Sequence, residues 1–217
     1  MKKKLLVCET FISIQGETTW SGWPCFFIRL AGCNLRCRYC DTKYAWRGGR
    51  ARPILELAAG FAAAKTPLAE ITGGEPLLQE NVYDLLKLLL RRRKGKILLE
   101  TNGACDTARV PDGVITILDI KCPGSGFANT VHWKNIPRLK TNDEVKFVIC
   151  SRKDYEWARR VTEKHRLAAR CKAVNFSPAA GFLKPRTLAS WIARDGLPVR
   201  FNLQLHRQIW PQAERAK

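Results

Sequence analysis

The 217-residue sequence predicts an α/β fold, an incomplete (β/α) barrel of about six parallel strands with outer helices. Three observations carry that expectation. Apolar, β-rich runs alternate with helical patterns, and the distinctive polar motifs fall at the ends of the runs. No linker, internal repeat or low-complexity segment interrupts the chain, so residues 1–217 read as one domain.

Taken in order, the predicted strands are 25–32, 68–72, 96–100, 114–120, 144–150, 171–177 and 198–205. Helical spacing marks 53–65, 81–94, 152–167 and 184–195, with Ser151 and Pro185 where helix starts favour them. In such folds chemistry gathers at the carboxyl ends of the strands. "GCNLRCRYCDT" (32–42) follows the first of these strands, "TGGEP" (72–76) the second and "ETNG" (100–103) closes the third. "DIKCPGSG" (119–126), "NFSPAAG" (175–181) and "LQLHRQIW" (203–210) end later ones, so six signals share one mouth.

Composition narrows the class. A hydrophobic fraction of 46% excludes disordered and collagen-like chains. Near the start, Glu9 breaks the apolar stretch too soon for a signal peptide, which needs roughly 7 to 15 apolar residues. No run is long enough to cross a bilayer, so a cytoplasmic protein without membrane contact is expected. Six of the nine cysteines (Cys8, Cys25, Cys105, Cys122, Cys150, Cys171) are scattered and read as packing. The net charge of +19 suits nucleic acid or an acidic protein, yet the basic residues spread along the whole chain and read as a solvated surface. The "RRRK" run (91–94) ends a helix, where positive charge complements the dipole, so a nucleic-acid role is not expected of it. His165 reads as solvent-facing, and His132 as packing or capping.

Cys33, Cys37 and Cys40 stand at C-x3-C-x2-C spacing in a chain expected in a reducing compartment. A short loop of this kind directs three sulfurs toward a shared centre. Three ligands on a 4Fe-4S cluster leave one iron open. The alternative is structural zinc with Cys25 or a distant histidine as fourth ligand.

"CNLRCRYCDT" and "TGGEP" together resemble the radical S-adenosylmethionine enzymes. Gly73 and Gly74 would let backbone approach the cofactor, and Glu75 would take its ammonium charge. "ETFISIQGE" (9–17) with "FIRLAGCNLRCRYCDTKYAW" (27–46) is similar to the 7-carboxy-7-deazaguanine synthases of that superfamily, over most of the chain. The resemblance implies an incomplete barrel of the radical SAM type. It also implies ring contraction of 6-carboxytetrahydropterin with loss of ammonia, begun by a 5'-deoxyadenosyl radical and needing no protein nucleophile.

Site roles follow from the same resemblance. Ile14, Gln15, Gly16 and Glu17 would hold the pterin, and Arg29 its carboxylate. An arginine on a buried strand needs an anion partner in any case. Thr72, Gln204, His206 and Pro211 would also meet substrate, and Thr42 a magnesium ion. On its own, Asp41-Thr42 reads as a helix cap. S-adenosylmethionine would lie against Tyr39, Gly73, Gly74, Glu75 and Asn102, with Asp119, Ile120 and Lys121 beyond them. Ser177, Pro178, Ala179 and Ala180 would complete that side. Gly103 joins Asn102 at a strand end that an ordinary Asn-Gly turn equally explains.

Departures from the family pattern are Thr18 where glycine is frequent, Asp-Ile-Lys for Ser-Pro-Lys, and Arg207 for lysine. A homodimer and an acidic electron donor such as flavodoxin are the expected partners. Two rivals stay open: an activating enzyme that makes a glycyl radical on a partner, and a basic, metal-stabilised RNA-binding module.

Overall fold

The computed structural model describes residues 3–92 and 95–210. One sheet holds nine strands in the order β3-β1-β2-β4-β5-β6-β7-β8-β9. In chain order these are β1 (Lys4–Ile14), β2 (Pro24–Leu30), β3 (Arg50–Pro53), β4 (Leu68–Gly73), β5 (Lys96–Thr101), β6 (Val114–Asp119), β7 (Glu144–Ile149), β8 (Ala173–Pro178) and β9 (Arg200–Phe201). The helices are α1 (Ile54–Ala63), α2 (Val82–Arg91), α3 (Arg152–Lys164), α4 (Pro185–Asp195) and α5 (Leu205–Ile209). From β2 through β9 neighbouring strands are parallel, while β1 and β3 add on antiparallel.

Strands covered on both faces read as nearly continuous apolar runs, and β6, β7 and β8 are buried at every position. Their outer faces pack on helices. Leu57, Phe61, Leu85, Leu86 and Leu89 of α1 and α2 meet Ile28, Ile71 and Ile97. Tyr155, Ala158, Leu188 and Ile192 of α3 and α4 meet Phe147 and Phe176. A third apolar group, Cys25, Phe27, Leu68, Leu98, Ile115 and Ile117, fills the amino-terminal end of the barrel interior. Strand residues two apart share a face, so the next inward positions above this plug are Arg29, Glu70, Glu100, Asp119 and Lys146. That alternation turns the upper interior polar.

The helix starts follow the expected chemistry. The Ser151 hydroxyl accepts the Asp154 N–H at 3.3 Å, Pro185 opens α4, and Gly196 ends it in the left-handed conformation. His132 sits at the start of a short 3-10 turn, and His165 stacks on Trp133 with ring centroids 5.1 Å apart instead of facing solvent alone. Of the six scattered cysteines, Cys25, Cys122 and Cys171 are buried, and Cys8, Cys105 and Cys150 half-buried. Arg93 and Lys94 of the basic run, and Pro211, lie outside the described residues.

Four features depart from the sequence expectation. β1 is an eleven-residue strand, hidden because Glu9 and Thr10 interrupt its apolar pattern and a bulge lies between Val7 and Glu9. β3, rich in arginine and ending in proline, is an edge strand whose composition does not advertise it. The strand expected over 198–205 shrinks to two residues. Past it the chain turns into α5.

The last two changes close the barrel seam. The loop after β1 reaches across the interior, where the Thr18 N–H donates to Asn202 at 3.0 Å and the Thr19 hydroxyl to Glu144 at 2.5 Å. The Leu205 N–H in turn donates to the Gly16 carbonyl at 2.8 Å. A Cβ at Gly16 would come within 2.2 Å of His206 Nδ1, so only glycine permits this seat. Thr18 adopts φ +66°, a left-handed backbone that glycine takes freely.

Thr18→Gly removes that strain and loses the 3.2 Å bond from the Trp20 N–H to the threonine hydroxyl, so urea unfolding should show a change within about 1 kcal/mol. Thr18→Val keeps the strain and loses the bond, and should cost about 1–2 kcal/mol. A larger loss in the glycine variant than in the valine variant would contradict this account.

Candidate active site

A cavity of about 490 Å³ opens at the carboxyl ends of the strands, within the usual range for a small-molecule site. Cys33, Cys37 and Cys40 all line it. Their loop is braced at both ends: the Gly32 N–H donates to Ala45 and the Arg38 N–H to Ser125. Inside it the Leu35 N–H points at Cys33 Sγ at 3.4 Å, and the Asn102 amide ties Asn34 at 2.8 Å. Burial pushes the Cys37 thiol up to about 11, with Lys121 pulling the other way. A thiolate at this position therefore calls for a cation beside it.

The three thiols share one cavity wall and are of the ligand type that holds iron–sulfur clusters. Among the described residues no three His, Cys, Asp or Glu side chains converge closely enough to hold a single metal ion. Cys25, the suggested fourth zinc ligand, is buried on β2 beside Glu70 and away from the cavity wall, which removes it from that role. Peptide N–H groups aimed at sulfur are a usual tuning device of such clusters.

Gly73 and Gly74 line the cavity beside the cysteine loop. A Cβ on Gly73 would meet the Leu30 carbonyl at 2.2 Å, and one on Gly74 the Gly32 carbonyl at 2.2 Å. The Glu75 N–H then donates to Gly32 at 2.7 Å. These glycines bring two loops into backbone contact. Glu75, expected to take an ammonium charge, is fully buried and does not reach the cavity. Its carboxylate accepts from the Leu77 and Asn102 N–H groups and the Thr101 hydroxyl, so it braces the Asn102 strand end.

Ile14, Gln15, Glu17, Arg29, Thr42, Thr72, Gln204 and His206 all face the cavity, as do Tyr39, Asn102, Asp119, Lys121, Ala179 and Ala180. Gly16, Ile120, Ser177 and Pro178 do not line it. Gly16 is covered by His206, Ile120 is wholly buried in the core just past β6, and the Ser177 hydroxyl accepts from Asn202. Pro178 is the last residue of buried β8. Gly103 supplies the φ +75° of its turn. Thr42 begins the turn at Lys43–Trp46 without a side-chain cap bond, and its hydroxyl lies 3.8 Å from Cys40 Sγ.

Arg29 is aimed by residues that sequence reasoning missed. Its Nε donates to Glu9 at 2.8 Å, Tyr44 donates to the same oxygen at 2.7 Å, and Phe11 and Tyr44 flank the guanidinium. Among the described residues the two terminal nitrogens carry no protein hydrogen bond, which leaves the fork for an anion. Burial works against the charge, but Tyr44, Glu9 and Asp41 overcome it and raise the group further.

The second unforeseen feature is a buried charge hub. Lys146 donates to Glu17 Oε2 at 2.7 Å and to Glu100, and lies 3.6 Å from Asp119, which also pairs with Lys121 at 2.7 Å. Burial alone would lower Lys146; Glu100, Glu17 and Asp119 instead hold it well above the ordinary lysine value. Glu17 Oε1, Asp119 Oδ1 and the Tyr39 hydroxyl are buried with no protein partner among the described residues. Each lies on the cavity wall, where a ligand would satisfy it. The available signal was a charge inside an otherwise apolar strand, as in "LAEIT" and "EVKFVIC". In a strand with both faces covered, that charge must face the barrel interior.

Comparison with known proteins agrees with this architecture. Residues 27–122 match the Radical SAM superfamily model. The chain is 45% identical over 210 residues to 7-carboxy-7-deazaguanine synthase of Chlorobaculum tepidum, covering 95% of this chain and 94% of that protein. Similarity to the same-named protein of Koribacter versatilis is 41% over 217 residues, covering 94% and 96%. The crystal structure of QueE from Escherichia coli superposes with a TM-score of 0.72 at 23% identity, over 94% of this chain and 95% of that one, a likeness of fold.

Lys146→Met would leave Glu17 and Glu100 without their cation and Asp119 with Lys121 alone, and should destabilise the protein by about 3–5 kcal/mol at pH 7. Because Lys146 is raised in the folded state, its contribution is complete below about pH 10 and is lost as pH rises through its folded value. The variant should recover stability as acid neutralises the carboxylates, so its urea midpoint should rise from pH 7 to pH 5 relative to wild type. A deficit that stays constant with pH would rule out the charge-hub account.

Proposed function

The chain belongs to the 7-carboxy-7-deazaguanine synthases of the Radical SAM superfamily, lyases of queuosine biosynthesis, and from that premise we propose how this cavity divides its work. Its substrate is 6-carboxy-5,6,7,8-tetrahydropterin, contracted to 7-carboxy-7-deazaguanine with loss of ammonia. The observation that carries the reading is the Arg29 fork, held by Glu9 and left open toward the cavity.

Cys33, Cys37 and Cys40 would hold the 4Fe-4S cluster, with S-adenosylmethionine beside it. When bound, the pair supplies one-electron chemistry that starts by removing a hydrogen atom from the substrate. The chain's own part is placement. Arg29 clamps the substrate carboxylate, and Glu17, anchored by Lys146, offers its free Oε1 to a ring N–H. Gln204 and His206, carried in by the closing of the seam, cover the mouth and exclude water. Asp119, Lys121 and Tyr39 form the charged and polar wall on the cysteine side, suited to the cofactor's amino acid end. Thr42, between Cys40 and the Asp41–Arg207 ion pair, is the candidate oxygen ligand for magnesium.

Arg36, Arg38, Lys43 and Arg47 are exposed on the cysteine loop, which suits an acidic electron carrier such as flavodoxin. Reduction by the carrier should then slow as ionic strength rises, and a rate indifferent to salt would count against it. A homodimer and a cytoplasmic site belong to the same reading. No disulfide forms among the described residues, and no helix among them is long and apolar enough to span a membrane. A continuous nine-stranded sheet supports one domain. The open fork and a cavity of about 490 Å³ favour a small substrate over a glycyl-radical partner protein.

Anaerobically reconstituted protein should convert the carboxypterin to the ring-contracted product. Cys37→Ala should lose the brown cluster absorbance and all turnover. Arg29→Lys keeps charge but not the fork, so the cluster spectrum should persist while kcat/KM falls about 100-fold. Wild-type turnover in Arg29→Lys would remove the clamp from the scheme.

A further inference from the structure

Glu70 lies in the middle of β4, 2% exposed, with its carboxyl on the cavity wall. Its partners across the sheet are apolar, Phe27 on β2 and Leu98 on β5. Lys146 is bonded to Glu17 and Glu100, and Glu70 has no ion pair among the described residues. One oxygen of Glu70 is engaged, by the Gln15 side-chain amide.

The direction of that bond is set by a neighbour. Gln15 Oε1 accepts the Glu17 N–H at 2.7 Å, so the amide nitrogen must face Glu70 and donate to it. Glu70 Oε2 is therefore an acceptor, and the other oxygen is left toward the cavity. Charged and titratable groups face Glu70 from all around: Cys25 and Arg29 of β2, Glu100 of β5, Lys146 of β7, and Glu17 of the loop after β1. Burial comes first, and Glu100 and Glu17 add to it against Lys146 and Arg29. The carboxyl is held well above the ordinary glutamate value.

We propose that Glu70 determines specificity by meeting the substrate as an uncharged carboxylic acid, donating its free O–H to the 4-oxo oxygen of the pterin ring. This deepens the pterin reading and rests on it. The neighbouring Glu17 is bonded to the Lys146 ammonium and accepts a ring N–H through its other oxygen. A 2-amino-4-oxo ring offers N–H donors beside one carbonyl acceptor. A wall made of one carboxylate and one acid matches that sequence of groups. Two carboxylates would match only donors, and would favour a 4-amino ring instead. A site built to hydrogen-bond a particular group rejects the analogue that lacks it, because its own polar atom is left unpaired.

The test uses the reconstituted protein with 6-carboxytetrahydropterin and its 2,4-diamino analogue. Equilibrium binding and KM are read, and S-adenosylmethionine cleavage and urea midpoints check that the fold is intact. Glu70→Gln can accept from Gln15 through its carbonyl and turn its N–H to the cavity. It should bind carboxypterin within about 3-fold of wild type, whereas Glu70→Leu should weaken binding about 30-fold or more. Wild type should lose affinity at alkaline pH as Glu70 ionises, and Glu70→Gln should not.

Without any mutation, wild type should prefer the 4-oxo ring about 30-fold at neutral pH, narrowing at alkaline pH. Equal impairment of the glutamine and leucine variants would mean an ionised acceptor and overturn the proposal. Full binding by Glu70→Leu, or discrimination unaffected by pH, would overturn it as well. A wild type that cleaves S-adenosylmethionine yet binds no carboxypterin would instead overturn the pterin reading beneath it.

Discussion

One buried ammonium organises the interior. Lys146 gathers Glu17 from the loop after β1, Glu100 from β5 and Asp119 from β6 around a single positive charge. Carboxylates this close would repel one another and draw in protons or water without it. With the lysine in place, Glu17 and Asp119 each keep one oxygen free and buried, aimed where ligands would lie. The hub thus joins the wall proposed for substrate to the wall proposed for cofactor. A buried charge cluster is costly in solvation, and its return is fixed orientation more than stability.

That orientation depends on the seam. An open run of parallel strands leaves its last strands short of its first, and here polar contacts bridge the interval instead of a backbone ladder. Thr18, Thr19 and Gly16 fasten the loop after β1 to Asn202, Glu144 and Leu205. Thr18 accepts left-handed strain to do so. The same closure carries Gln204 and His206 over the cavity, so the strand that ends early and the helix that follows it are parts of the site.

On the opposite wall, the cysteine loop is positioned by backbone. Gly73 and Gly74 lie so close to residues 30–32 that no side chain fits between them. Glu75 anchors the arrangement from below through three hydrogen bonds. The motif's acid therefore acts as a brace for Asn102, while Asp119 reaches the cavity wall with one oxygen unpartnered among the described residues. The basic residues on the outer surface of this loop leave the inner surface to the thiols.

By itself the sequence determined the alternating architecture, six of the long strands and four helices, because periodicity and capping are local properties of the chain. It also marked the three thiols and the mouth they share, since a ligand loop is contiguous. β1, β3 and α5 escaped it: β1 is interrupted by Glu9 and Thr10, and β3 and α5 are too short for a period to show. Only the tertiary structure decided that Glu75 turns away from the cavity and that Glu9 and Tyr44 aim Arg29. It also set Lys146 among three acids and left Glu70 with a neutral partner. Those outcomes depend on which side chains from distant strands meet in a low-dielectric interior, and such meetings have no signature in the spacing along one chain.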